Sequence, residues 1–287
     1  MKKSGVGISA ECQEDVSDRR SRRSEPIDRR RALRVAVAAA TAAGDLLQSR
    51  FGRKQTVRHK GTIDIVTDMD HRSQDLILGI MKEEFPEHDT LSEEMPPAKR
   101  QSKYLWVIDP LDGTTNYAHG FPMYCVSIGL MRDDRPILGV VYCPTMKELF
   151  TAVRGEGARL NGSRIRVSRI SSLDQALLAT GFPYDIRTSR DNNLAYFRQF
   201  ARSAQAVRRA GSAALDLSYV AAGRFDGFWE IKLKRWDIAA GILMVKEAGG
   251  HVTDFSGGEV DFEYPRVLAS NGRLHQSMLK VLATTRE

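Results

Sequence analysis

Long apolar runs, spaced cysteine pairs and a leader-like N-terminus are all missing from this 287-residue chain. No stretch reaches the roughly 18 unbroken apolar residues that a membrane span requires. Val6 and Ile8 stand isolated among polar residues where a secretory signal would carry its apolar core. These absences predict a cytoplasmic protein. The three cysteines, Cys12, Cys125 and Cys143, form no spaced pair and leave an odd count, so no zinc or redox framework is signalled. Cys125 and Cys143 lie in apolar, strand-like runs and read as small hydrophobes of a reduced core.

Apolar residues are also scarce in residues 1–31, which hold nine Lys/Arg against six Asp/Glu. Such a segment cannot bury enough surface to offset the entropy of ordering, and a disordered basic tail is expected. It has no aromatic residue to stack on bases, which weighs against a nucleic-acid-binding arm. The remainder is ordinary for a globular protein, with 42% hydrophobic and 28% charged residues, and is long enough for a sizeable core.

Regular structure is expected from Ala32. Residues 32–49 are rich in Ala and Leu without proline and predict a helix. Residues 55–67 alternate polar and β-branched residues, as a strand or hairpin arm does. Leu76, Ile77, Ile80 and Met81 fall at helical spacing after Asp70, and Pro86 ends that helix. Strands are expected at 104–108, 124–131, 137–142, 149–153 and 176–180, with turns at Asp133-Asp134 and Asn161-Gly162. Helices follow at 191–204, 211–222 and 237–248, with strands at 227–231, 252–255 and 267–269. The pattern predicts one α/β unit in two packed halves, about 32–155 and 175–287.

The chemistry concentrates in the segment 106–119, where an apolar strand runs into Asp109-Pro-Leu-Asp-Gly-Thr-Thr115. Pro110 is expected to stop the strand's ladder and Gly113 to let the chain turn tightly. Two carboxylates three residues apart at a strand end converge on one point and repel unless a cation lies between them. Oxygen ligands of this kind select Mg²⁺, Mn²⁺ or Ca²⁺ over zinc. Read alone, the segment is equally a turn with Asp caps. Asp237, at the expected start of a helix, reads alone as an N-cap.

Five elements taken together resemble the inositol monophosphatase family of metal-dependent, lithium-sensitive phosphatases. They are Val66-Thr-Asp-Met-Asp70, Ser92-Glu-Glu94, the 106–119 segment, Gly211-Ser-Ala-Ala214 and Trp236-Asp-Ile-Ala-Ala-Gly241, in the family's order and approximate spacing. The resemblance runs from about residue 32 to the C-terminus. It implies a layered α-β-α-β-α sandwich (an α/β, or α+β, fold) with mixed, largely antiparallel sheets. It also implies a homodimer and two to three Mg²⁺ ions, with Mn²⁺ as a substitute.

On matching positions, the resemblance implies that Glu93, Asp109 and the Leu111 carbonyl hold one metal and Asp109, Asp112 and Asp237 a second. A third, weaker ion lies near Glu93. Asp70 and Thr114 polarise the attacking water, and Glu94 lies beside the metals with a lesser catalytic role. Gly113, Thr114 and Thr115 present donors to the phosphate. Lys60 falls in the region of a family lysine near the phosphate, in a loop one residue shorter. Asp64 reads as structural, supporting the Asp70 strand.

Glu230, seven residues before Asp237, matches the family's inositol-contacting glutamate, with Gly211, Ser212 and Ala213 lining the same pocket. Such a carboxylate accepts hydrogen bonds from two ring hydroxyls; the alternative is an exposed strand residue. The implied activity is Mg²⁺-dependent hydrolysis of inositol monophosphate, a small-molecule phosphate ester. A broader sugar phosphatase acting on fructose-1,6-bisphosphate or NADP is the enzyme-class alternative. Arg187, Arg190, Arg208 and Arg209 would then admit a second phosphate, or else form solvated surface. A further alternative is RNA or transcription-machinery binding, for which residues 1–31 carry no motif.

Overall fold

The computed structural model describes residues 27–53, 55–96 and 98–285. Of the disordered tail expected over residues 1–31, residues 1–26 lie outside the described residues, as does Cys12, whereas residues 29–31 are helical and correct that boundary. Helix α1 (Arg29–Arg50) starts three residues before the Ala-rich pattern does. Asp28 caps it, accepting from the Arg30 and Arg31 amides at 2.9 and 3.1 Å. Ala32, Ala36, Ala39, Ala40, Ala43 and Leu47 are fully buried. That stripe of small residues lets the helix lie close to its neighbours.

The residue 55–67 arm is a hairpin of β1 (Val57–His59) and β2 (Ile65–Thr67). Helix α2 (Asp68–Glu84) follows at once, started by a capping box between Thr67 and Asp70. A seven-stranded sheet comes next: β3 (Asp89–Ser92), β4 (Tyr104–Asp112), β5 (Cys125–Arg132), β6 (Arg135–Cys143), β7 (Glu148–Val153), β8 (Gly157–Leu160) and β9 (Ser163–Arg164), in that spatial order. Only the β3–β4 pairing is parallel. Helix α3 (Thr114–Ala118) sits between β4 and β5.

The second sheet has five strands: β10 (Leu177–Thr180), β11 (Ala206–Arg208), β12 (Gly227–Ile231), β13 (His251–Thr253) and β14 (Arg266–Ser270), ordered β11-β10-β12-β14-β13. The β10 pairings are parallel and the others antiparallel. Helices α4 (Leu194–Ser203), α5 (Ala213–Ala221), α6 (Arg235–Glu247) and α7 (His275–Thr284) complete the chain. The first sheet thus takes strands as far as Arg164 and the second begins at Leu177.

Packing orders these elements into five layers. Helices α1 and α2 cover one face of the first sheet, and α5 and α6 lie between the two sheets. Helices α4 and α7 cover the far side of the second. This is an α-β-α-β-α sandwich with mixed, largely antiparallel sheets, as the resemblance implies. Among the described residues, no helix is long and apolar enough to cross a membrane.

Two local expectations need correction. Strand β4 does not stop at Pro110; it continues to Asp112 through a register shift between Asp109 and Asp112. A proline lacks the N–H to donate, and a bulge is where a sheet tolerates it. Asp237 does not begin α6: Lys234 is the N-cap, and Asp237 sits in the first turn, accepting from the Lys234 amide at 2.6 Å. Cys125 and Cys143 are free and fully buried, as expected of small hydrophobes.

Candidate active site

The bulge in β4 shapes the site. Asp109 is 2% exposed, and its Oδ1 accepts from the Leu111 amide at 3.0 Å, which folds the backbone around Pro110. The chain then needs Gly113, at φ +90°, to enter α3; a Cβ there would lie 2.7 Å from the Met123 carbonyl. That turn brings the Thr114 hydroxyl within reach of two acceptors, Asp70 Oδ1 at 2.9 Å and the Leu111 carbonyl at 3.0 Å. Its single proton serves one at a time. Asp70 is fixed from behind, its Oδ2 accepting from the Thr67 amide and hydroxyl at 2.8 and 2.6 Å.

The interlayer helices bring in the remaining groups. Asp112 Oδ2 accepts from Ser212 Oγ at 2.7 Å and from the Ala214 amide at 2.8 Å, so it joins β4 to the start of α5. Asn116 reinforces the junction, donating to the Met123 and Ala210 carbonyls at 2.7 and 2.8 Å. Helix α6 approaches the first sheet at Gly139, where a Cβ would lie 2.9 Å from the Ala240 carbonyl oxygen. This close approach carries Asp237 to the end of β4. Glu93 follows β3, its amide donating to the Ile108 carbonyl at 3.2 Å.

A cavity of about 290 Å³ lies where these pieces meet. Its walls include Glu93, Asp109, Asp112 and Asp237, the turn Leu111 to Thr115, Gly211, Ser212 and Ala213, and Lys60 and Glu230. Asp70 stands behind Thr114. Glu94 is outside the walls, its carboxylate paired with Lys60, which also bonds Glu93 at 3.0 Å. Asp64 lines the cavity, and its carbonyl closes the β1–β2 turn onto the Lys60 amide at 2.9 Å.

Burial and mutual repulsion dominate the electrostatics. Burial pushes Asp109 well above the ordinary carboxylate range, and Glu93, Asp112 and Asp237 push it further. Burial raises Asp237 likewise, with Glu93 and Asp112 adding to it. Glu93 is pushed up to about 7 by burial, against the pull of Lys60. Burial takes Glu230 to about 8, opposed by Arg209 and assisted by Asp112. Asp70 is also raised by burial, although the Thr67 and Thr114 bonds favour its anion. Burial alone would lower the Lys60 pKa, but Glu93 and Glu94 outweigh it and hold the ammonium charged.

Four carboxylates crowded at one cavity, each disfavoured as an anion, are the donor set a hard divalent cation satisfies. Among the described residues, no three His, Cys, Asp or Glu side chains stand close enough as placed to hold one ion together. Each carboxylate is turned to a local donor instead: Glu93 to Lys60, Asp109 to the Leu111 amide, Asp112 to Ser212 and Asp237 to the Lys234 amide. The chemistry of this donor set fits such an ion.

Several wall residues escaped the sequence reading. Gly181, Phe182, Pro183 and Tyr184 line the cavity, Tyr184 with 59% of its surface exposed. Nothing in their local pattern marks them. Arg209 lines it too; the sequence offered it as either a second-phosphate residue or solvated surface, and of the four arginines named there it is the one in this cavity's walls. Asp216 is a wall residue whose signal was available: a lone charge in the apolar run Ala213 to Ala221, four residues after Ser212 and so on its face.

Comparisons with known proteins bear on the family and the fold. Residues 28–287 match the family described as Inositol monophosphatase family. An inositol-1-monophosphatase of Synechocystis sp. is 45% identical over 262 residues, covering 91% of each chain. A Nus factor, SuhB, of Pseudomonas aeruginosa is 42% identical, covering 87% of this chain and 95% of its own. The solved structure of an inositol monophosphatase from Anabaena (Nostoc) sp. superposes with a TM-score of 0.84 at 42% identity, covering 91% of this chain and 98% of its own.

Proposed function

The chain belongs to the inositol monophosphatase family, and from that premise we propose that it is a metal-dependent phosphomonoesterase hydrolysing inositol monophosphate to inositol and phosphate. One observation carries this reading. Asp109 lies buried among Glu93, Asp112 and Asp237, while Glu230, 8% exposed, stands in another wall of the same cavity. The first group suits a metal-bridged phosphate and the second a polyol.

In this proposal Glu93, Asp109 and the Leu111 carbonyl would hold one divalent ion and Asp109, Asp112 and Asp237 another, with a third, weaker ion near Glu93. When bound, such ions neutralise phosphate oxygens and make water a nucleophile near neutral pH. The chain's own groups do the rest. Thr114 Oγ1 accepts a proton from the attacking water as its own passes to Asp70 Oδ1, with which it is already bonded at 2.9 Å. Burial makes Asp70 a better base than an exposed carboxylate. The backbone at Gly113, Thr114 and Thr115 donates to the phosphate oxygens. Lys60 holds Glu93 and Glu94 in place, and Glu94 acts through Lys60.

Glu230 faces the cavity without a hydrogen bond to any described residue and accepts from the inositol ring, with Gly211, Ser212 and Ala213 shaping the adjacent wall. Mg²⁺ as the ion, lithium inhibition, a homodimer and a cytoplasmic location belong to the proposal on the strength of the family resemblance. Phosphate release with Mg²⁺ from inositol 1-phosphate, fructose-1,6-bisphosphate, histidinol phosphate, NADP and adenosine 3′,5′-bisphosphate tests it. Inositol 1-phosphate should lead; a clear preference for fructose-1,6-bisphosphate or NADP would replace it with the broader sugar-phosphatase reading.

Similarity to a Nus factor supports a second role, association with the transcription machinery or RNA. Salt-sensitive binding of RNA or RNA polymerase by the full chain, lost on deleting residues 1–26, would establish it. Its absence at low salt would leave the catalytic role alone.

A further inference from the structure

Asp216 is the polar group in the cavity that neither the fold nor the metal chemistry explains. It sits in the first turn of α5, 1% exposed, and its Oδ1 is buried without a hydrogen-bond partner among the described residues. An unpaired buried carboxyl costs stability, and native structures keep such groups where something else requires them. The ordinary structural duties are already filled. Ser212 is the N-cap of α5 and bonds the Leu215 amide, while Asp112 takes the Ala214 amide. The cation whose charge reaches Asp216 is Arg209, which is exposed at the cavity.

Asp216 shares its cavity with Glu230, whose charge acts on it, and Asp216 Oδ1 has no hydrogen-bond partner among the described residues. The site is built to hold Glu230 inward. Gly181, in the same wall, has no side chain, and a Cβ there would collide with the Glu230 carboxylate. Ser212 and Asp216 lie one turn apart on α5, so the helix face that meets Asp112 through Ser212 continues to Asp216.

We propose that Asp216 is a specificity-determining residue: with Glu230 it forms a two-carboxyl wall that accepts neighbouring hydroxyls of a polyol leaving group. The inference rests on the inositol-phosphatase reading and deepens it. A ring bearing adjacent hydroxyls satisfies both carboxyls, whereas an aryl or monohydric leaving group leaves one or both buried and unpaired. Mismatch of that kind is where a hydrogen-bonding site discriminates strongly. Burial, reinforced by Glu230 and Asp112, keeps the Asp216 carboxyl protonated well beyond the ordinary range, so the pair coexists without full repulsion.

The test compares wild type with Asp216→Leu and Asp216→Asn, using inositol 1-phosphate and 4-nitrophenyl phosphate, with thermal unfolding measured alongside. Asp216→Leu should lower the ratio of kcat/KM for inositol 1-phosphate over the aryl ester by about 10- to 100-fold, mostly through KM. Asp216→Asn should lower it less. Tm of Asp216→Leu should equal or exceed that of wild type, because an unpaired buried carboxyl has gone, and Tm of Asp216→Asn should stay close to wild type, because one buried polar group replaces another. If Asp216→Leu fails to fold, Asp216→Asn carries the same readouts. A ratio unchanged in the folded variants overturns the proposal, as does a proportional loss on both substrates with a lower Tm. If wild type shows no preference for inositol 1-phosphate, the parent reading has failed; if the preference is present and survives in the variants, only the assignment of Asp216 has.

Discussion

Asp109 is buried at 2% exposure, and burial together with Glu93, Asp112 and Asp237 raises its pKa. Asp109→Asn removes the ligand placed between both proposed ions and should abolish phosphate release, a loss of several kcal/mol in transition-state stabilisation. Glu94→Gln should be milder, because Glu94 pairs with Lys60 outside the cavity walls. The same Asp109→Asn variant should be more stable than wild type without divalent ions, since a charge disfavoured by burial and repulsion is gone. Equal, mild losses of activity in both variants would contradict the assignment. Glu230→Gln should reduce hydrolysis of inositol 1-phosphate more than that of 4-nitrophenyl phosphate, by about 1–3 kcal/mol in selectivity. Proportional loss on both would mean that Glu230 supports the fold instead. Most of these residues were legible because their motifs are local: Asp109, Asp112 and Gly113 share one turn, and Thr67 and Asp70 share one capping box. Asp216 left a local signal, a lone charge in the apolar run of α5, but its place in one cavity with Glu230 was not legible, nor was the role of Gly181. Their meaning depends on which strand faces which helix, and no local pattern encodes that.

At the scale of elements, close packing of α6 on the first sheet positions Asp237. Gly139→Ala would place a Cβ 2.9 Å from the Ala240 Cα and carbonyl oxygen, so the helix must shift. Urea unfolding should show a loss of about 1–3 kcal/mol, the usual cost of overpacking. Phosphate release should fall with it as Asp237 moves; an unchanged unfolding midpoint would show that the contact is not tight. Element types were largely readable from periodicity, whereas the boundaries at the site were not. Strand β4 runs past Pro110 because a bulge absorbs the missing donor, and α6 starts at Arg235 because Asp237 caps backward onto Lys234. Helix α1 begins at Arg29 because Asp28 supplies a cap that outweighs the charge of the run following it.

Across the whole molecule, the raised carboxyl pKa values make stability depend on pH. Glu93 at about 7 and Glu230 at about 8 hold protons in the folded state that the unfolded chain releases near 4.5. Their contribution is fully present below 4.5 and is lost as pH rises through 7 to 8. His275, buried between Thr253 and Ser270, is lowered by burial to about 4, and its contribution disappears on the acid side, below 6.5. In chelator, Tm should therefore fall between pH 6.5 and 8, where only the carboxyls act, and added Mg²⁺ should reverse that fall. A chelated Tm that rises over this interval would show that the acid cluster is not strained. The two sheets supply one side of this cavity each, β4 from the first and β12 from the second, so the hydrolytic and polyol-binding groups meet at the helical layer between them. The most direct measurement of the central claim is phosphate release from inositol 1-phosphate in chelator and across a Mg²⁺ titration. Turnover should be absent in excess chelator and return as Mg²⁺ saturates the site, whereas full turnover in excess chelator would contradict hydrolysis by a metal-charged carboxylate cluster.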